Sequence, residues 1–158
     1  MIQDENNKIE LNKITNQDVS FLYNLLENRD SIYNISHKKM PSFAEHEKFV
    51  FSEPYLNWYI ISLDTKKIGA AYLSFDDEIG ISFLPEYDNE LFRKKSLVEL
   101  INKNPRTKYF ANVNPKNEKY KTFLKKYGFE LFLNYDKNED CPQDVFKLKK
   151  SENKNDYS

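Results

Sequence analysis

The sequence predicts a single α+β domain built around six to seven strands, and three observations carry that expectation. The chain has 158 residues, enough to bury one core without disulfide or metal staples. Aromatics make up 15% of it, with 11 Tyr and 12 Phe, which argues against a disordered chain. Short alternating apolar runs and helical stripes follow one another as strand, two helices, three strands, helix, strand, helix and two strands. That order lacks the regular alternation of a wound α/β sheet. The domain is expected over residues 8–149, with a flexible N-terminus at 1–7 and a disordered tail at 150–158.

Lys8 to Ile14 (KIELNKI) alternates and reads as the first strand. Thr15 and Asp18 stand at capping-box spacing, with Asp in place of Glu. Val19, Leu22, Tyr23 and Leu26 then place a helix over 17–28. After a loop to Pro41, Ser42 and Glu45 form a full capping box that opens a second helix, which Pro54 stops. Asn57–Leu63, Ile68–Phe75 and Glu78–Leu84 are strands joined by short polar turns, an antiparallel meander. Leu91, Phe92, Leu97, Leu100 and Ile101 mark a helix from about 90 to 102. Lys108–Val113 is a strand, Asn117–Tyr127 a helix closed by Gly128, Phe129–Asn134 a strand, and Val145–Leu148 the last strand.

Composition removes several function classes. Three glycines, Gly69, Gly80 and Gly128, exclude a dinucleotide fingerprint and a P-loop. Cys141 is the only cysteine, so no intrachain disulfide or zinc ribbon forms, and a nucleophilic role is not expected of it. His37 and His46 match no metal-site spacing, and the loop carboxylates Asp136, Glu139 and Asp140 lack the glycine of an EF-hand. No metal is expected. The formal net charge of -1 argues against a nucleic-acid partner. The longest apolar run, Trp58 to Ile61, is too short for a membrane span, and the polar N-terminus is no secretory signal. A cytoplasmic location is expected.

The segment NVNPKNEKYKTFLKKYGFEL carries Asn114, Pro115, Asn117, Gly128 and Phe129. It resembles the penultimate strand, helix and closing strand of the GNAT acetyltransferase superfamily. The segment KKIGAAYLSFDDEIGISFLPEY resembles the same family's strand-turn-strand before the cofactor helix. A shorter match, Ile35, Ser36, Glu45, His46 and Phe49, resembles the acceptor-side helices of members that acetylate nucleotide-linked amino sugars.

The resemblance implies a mixed, mostly antiparallel sheet with helices on both faces, splayed between the strands at 78–84 and 108–113. It implies acetyl-CoA as co-substrate and a primary amine of a small molecule as acceptor. Ile81, Ser82 and Phe83 would pair with the pantetheine arm, with Asn117 nearby. The pyrophosphate would sit near the amides of Leu91, Phe92, Arg93 and Lys94, at the positive end of a helix dipole. A direct transfer needs a base, an oxyanion donor and an acid. Glu78 and His46 are the candidate bases and Tyr120 the candidate acid; the family's usual tyrosine position is Leu124 here.

The phosphate loop departs from the family's Gln/Arg-x-x-Gly-x-Gly/Ala. Its aligned stretch is Asp88-Asn89-Glu90-Leu91-Phe92-Arg93, with Leu91 and Arg93 at the glycine positions. Glu86, Asp88 and Glu90 crowd the place of a diphosphate, while Arg93, Lys94 and Lys95 can offset them. Two readings stand at this point: an acetyl-CoA-dependent N-acetyltransferase, or a non-catalytic binding module on the same fold that has lost acetyl-CoA. Individual residues have alternatives too. Glu78 is a base or a solvated hairpin residue, His46 an acceptor contact or a packed histidine, and Asn117 a pantetheine contact or a helix cap. The oligomeric state stays open, a homodimer being one option.

Overall fold

The computed structural model describes residues 8–29, 33, 39–136 and 142–149. Ile35, Ser36, His37, Cys141, Glu139, Asp140, both termini and the side chain of Asp136 lie outside the described residues.

Among the described residues, seven strands and four α-helices run in the expected order: β1 (Ile9–Lys13), α1 (Val19–Glu27), α2 (Phe43–Phe51), β2 (Asn57–Leu63), β3 (Lys66–Leu73), β4 (Ile79–Phe83), α3 (Glu90–Lys103), β5 (Lys108–Val113), α4 (Glu118–Lys126), β6 (Glu130–Asp136) and β7 (Pro142–Lys149). They form two antiparallel sheets, of order β1-β2-β3-β4 and β5-β7-β6. The sheets meet through one parallel bridge, Glu78 to Phe110, beyond which β4 and β5 part. This is the splay that the resemblance implied.

Local chemistry sets the element ends. Both capping boxes form: Thr15 with Asp18, and Ser42 with Glu45. The first of them opens a 3-10 turn, Asn16–Asp18, that leads into α1. β3 begins two residues earlier than expected, because a bulge between Ile61 and Ser62 lets Lys66 and Lys67 join the ladder. It ends at Leu73, where the Ser74 hydroxyl accepts from the amides of Asp76 and Glu78 and fixes the turn. Gly128 sits at φ 97°, and the Phe129 amide donates to the Leu124 carbonyl, a Schellman closure of α4. β7 is longer than the expected 145–148, because it pairs with β5 on one side and β6 on the other.

Strand period two divides the core. Ile60 and Ala70 face α1 and α2, joining Val19, Leu22, Leu25 and Val50. Ile61, Ile68 and Ala71 face the opposite way, joining Phe92, Leu97 and Leu100 of α3 and Phe123 and Leu124 of α4. Helices therefore cover both faces, and the split between the sheets lies open between them. Among the described residues, no helix is long and apolar enough to cross a membrane.

Candidate active site

The apex of the split is pinned by short-range chemistry. Asp77 adopts φ 65°, its carbonyl accepts from the Phe110 amide at 2.9 Å, and its carboxylate pairs with Arg106 at 3.2 Å. Glu78 follows directly. The Tyr72 hydroxyl donates to Glu78 Oε2 at 3.2 Å, and Tyr55 stacks flat on Tyr72 at 3.9 Å. Burial pushes the Glu78 carboxyl up from the ordinary carboxylate range, Asp76 adding to it and the Tyr72 bond opposing it. Burial also raises the Tyr72 phenol, and the Tyr55 phenol reaches about 12.

Tyr72 can take this place only because Gly80 pairs opposite it. A Cβ on Gly80 would lie 2.1 Å from the Tyr72 ring. Sequence reasoning missed Tyr72 and Tyr55 as parts of the site. A signal for Tyr72 was present: the tight turn at Asp76-Asp77 fixes the hairpin register, and that register sets Tyr72 against Gly80.

Three spaces lie along the split. A cavity of about 560 Å3 lies on the α1–α2 side, walled by Phe49, Tyr55, Trp58 and Tyr72, with His46 on its lining. A narrow space of about 80 Å3 fills the wedge between β4 and β5, bordered by Ile81, Ser82, Asn117 and Tyr120. A third cavity, of about 380 Å3, opens at the start of α3 beside Tyr33, Asp88, Arg93, Lys119 and Tyr120.

His46 is only 5% exposed, and its ring meets the edge of Tyr23 at 5.3 Å. Its Nε2 has no hydrogen-bond partner among the described residues, and burial lowers its pKa. It is thus a packed histidine that also lines a cavity, so the two sequence readings are not exclusive. Asn117 is a helix cap: its Oδ1 accepts from the Tyr120 amide at 3.1 Å, while its buried Nδ2 has no partner among the described residues.

Arg93 departs furthest from a surface cation. It is 5% exposed and runs into the wedge, where Nη1 donates to the Ile81 carbonyl at 3.0 Å and Nη2 donates to Asp88 Oδ1 at 2.9 Å. Asp88 Oδ2 accepts from the Tyr33 hydroxyl at 2.8 Å. The guanidinium packs on the rings of Phe83 at 5.2 Å and Tyr120 at 5.1 Å. Burial alone would raise the Asp88 carboxyl, but Arg93 and Tyr33 outweigh it and hold the group below its ordinary value.

The remaining sequence candidates divide between core and rim. Phe92 and Phe83 are buried core side chains, Leu91 packs partly against the core, and Lys94 is exposed beside Tyr127. The Phe92 amide donates to Asn89 Oδ1 at 2.8 Å and the Arg93 amide to the Asn89 carbonyl at 3.1 Å, so both are committed to the helix start. Leu124 is fully buried. Tyr127 turns outward, donating to Glu90 at 2.9 Å. Of the tyrosines on α4, Tyr120 is the one that borders both the wedge and the Arg93 cavity. Burial pushes its phenol up.

No protein-family model matches the chain, and no curated protein matches it. Solved structures do. A Vibrio cholerae spermidine N-acetyltransferase in complex with CoA and spermine aligns with a TM-score of 0.74 at 16% identity, over 90% of this chain and 95% of that one. The fold is the GNAT fold. AAC(6')-Ib, in complex with ribostamycin and coenzyme A, aligns at 0.69 and 22% identity, over 90% and 93%. A Salmonella typhimurium acetyl transferase that modifies the N-terminal serine of ribosomal protein L7/L12 aligns at 0.73 and 14%, over 90% and 95%. These GNAT-fold neighbours are N-acetyltransferases of amines, and the first two were crystallised with coenzyme A.

Proposed function

We propose that this protein is an N-acetyltransferase that moves an acetyl group from acetyl-CoA to the primary amine of a small molecule. The single observation that carries the proposal is the half-buried Glu78 at the apex of the β4–β5 split, hydrogen-bonded to Tyr72, whose side chain lines both the aromatic cavity and the wedge. Acetyl-CoA, when bound, supplies the acyl group and a thiolate leaving group. The β4 edge at Ile81 to Phe83, the Asn117 Nδ2 donor and the Arg93 guanidinium are the groups that suit it. Their fit depends on the Arg93–Asp88 pair, which lines the cavity at the head of α3.

Glu78 takes the proton from the acceptor ammonium, because desolvation raises its affinity for that proton. The freed amine lone pair forms the C–N bond as the C–S bond breaks. A β4 backbone N–H holds the oxyanion. Tyr120 gives its phenolic proton to the departing sulfur and regains one from the acylated nitrogen, which sheds its second proton to become the neutral amide. The aromatic walls Phe49, Tyr55 and Trp58 suit a flat ring on the acceptor, which supports a nucleotide-linked amino sugar as its class.

One observation favours a second reading, a binding module without acetyl-CoA: Arg93 already takes the Ile81 carbonyl that would pair with pantetheine. Thiol release from acetyl-CoA, measured against a panel of nucleotide amino sugars, polyamines and aminoglycosides, decides between them. Turnover with one amine class, lost in Glu78→Gln, is the expected result. No turnover and no calorimetric binding of acetyl-CoA would leave the module reading.

A further inference from the structure

We propose that Arg93 is the residue that binds the carrier's phosphate, and that Asp88 is a built-in competitor occupying Arg93 until a phosphate displaces it. The inference rests on the acetyltransferase reading above and goes beyond it by assigning the anion exchange to one side-chain pair.

The argument starts from the two ends of the guanidinium. Nη1 is bound to the Ile81 carbonyl on β4, and the plane is held among the rings of Phe83, Tyr120 and Tyr33. The Ile81 carbonyl and the Phe83 and Tyr120 rings do not involve Asp88, so they still hold Arg93 when Asp88 leaves. Nη2 is bound to Asp88 alone among the partners just described. The exposures of the two side chains are unequal, 6% for Arg93 against 18% for Asp88. Both line the 380 Å3 cavity at the head of α3. A ligand entering that cavity meets the carboxylate first and the guanidinium behind it.

The chemistry of the exchange is one-sided. A buried guanidinium stripped of its anion is strongly unfavourable, so Asp88 does not leave for a neutral group. A phosphate offers more charge and a matching fork for the planar donor set, so it can take the carboxylate's place. Lys119 and Lys126 line the same cavity, but so do Glu90, which pairs with Lys126, and Glu118, so the pull on an anion falls to Arg93. Asp88 has a second anchor on the Tyr33 hydroxyl. The pair therefore admits phosphate-bearing thioesters and excludes acyl carriers that end in a neutral arm. It also explains why arginine can stand at a position where the resembling family has a small residue: the side chain replaces backbone amides, two of which Asn89 and the helix already use.

The test is calorimetric titration of acetyl-CoA and, separately, inorganic pyrophosphate into wild type, Asp88→Asn, Tyr33→Phe and Arg93→Gln at one salt concentration, with thiol release measured on each. Thermal melting confirms that each variant is folded; Tyr33→Phe leaves both charges in place, so it tests the exchange even if Asp88→Asn fails to fold. The expected result is at least tenfold tighter binding of both ligands to Asp88→Asn, a smaller gain in Tyr33→Phe, and loss of binding in Arg93→Gln. Unchanged or weaker affinity in Asp88→Asn and Tyr33→Phe overturns the exchange, even where acetyl-CoA turns over. Tighter pyrophosphate binding without thiol release from any amine upholds the exchange and overturns the acetyltransferase reading. Absence of binding of either ligand to every folded variant overturns both.

Discussion

Arg93 and His46 are equally buried, at 5% exposure each, yet they stand on the two sides of the split in opposite conditions. Arg93 is satisfied by protein: a carbonyl, a carboxylate and a set of rings close around it. His46 is left with Nε2 unmatched beside a cavity several times larger than the wedge. Burying a polar atom without a partner is unfavourable unless something outside the chain completes it. Around Arg93 the protein's own groups close the site, while on the α1–α2 side the buried His46 Nε2 has no partner among the described residues. The difference separates a place where a ligand must displace something from a place where it only has to arrive.

Four outcomes break or sharpen that contrast. The largest is expected at the apex between the two sides. Glu78→Gln should lower kcat/KM about 10²–10⁴-fold and remove the acid limb of the pH profile, which should lie above the ordinary carboxylate value of ~4.3. The same variant carries a stability sign. Because the folded-state pKa is raised, wild-type stability falls as pH rises through the window between the unfolded and folded values. Glu78→Gln should therefore melt above wild type at pH 8 and level with it at pH 4.

Next comes the closed side. Arg93→Met leaves Asp88 without its cation and should cost about 3 kcal/mol in urea unfolding, since Asp88 can partly regain water. Adding Asp88→Asn should recover part of that loss. A single variant as stable as wild type would remove the closed half of the comparison. On the open side, His46→Leu should leave stability unchanged or raise it by up to about 1 kcal/mol. The KM for the amine should rise about tenfold, equal to ~1.4 kcal/mol. An unmoved KM would make His46 a core residue only. The smallest effect is expected of Asn117→Ser, which keeps the cap and removes Nδ2: KM for acetyl-CoA should rise a few-fold with stability within about 1 kcal/mol.

Much of the fold was legible in the chain because its signals are local. Thr15 with Asp18 and Ser42 with Glu45 are reciprocal caps that act within one turn, and Gly128 is the residue that tolerates φ 97°. The site was less legible, since its contacts join distant positions. Tyr33 and Asp88 lie 55 residues apart, and no local pattern records their bond. Arg93 read as one of three cations that can offset the loop carboxylates, and its burial among the rings of Phe83 and Tyr120, which come from other elements, has no local signal. The start of β7 at Pro142 rather than Val145 was equally hidden, because that length depends on pairing with both neighbours.

The far edge of the second sheet has its own consequence for handling the protein. β6 has β7 on one side only, and Leu131, Phe132 and Leu133 are all exposed along it. Three apolar residues on an edge strand are a template for a second chain. The bulge between Leu131 and Leu133 interrupts the ladder there, and Lys147 lies 4.9 Å over the Phe132 ring. Bulge and charge together should keep the protein dispersed in concentrated solution. Lys147→Glu keeps a charge but loses the ring contact, so light scattering of that variant should rise at concentrations where wild type stays clear.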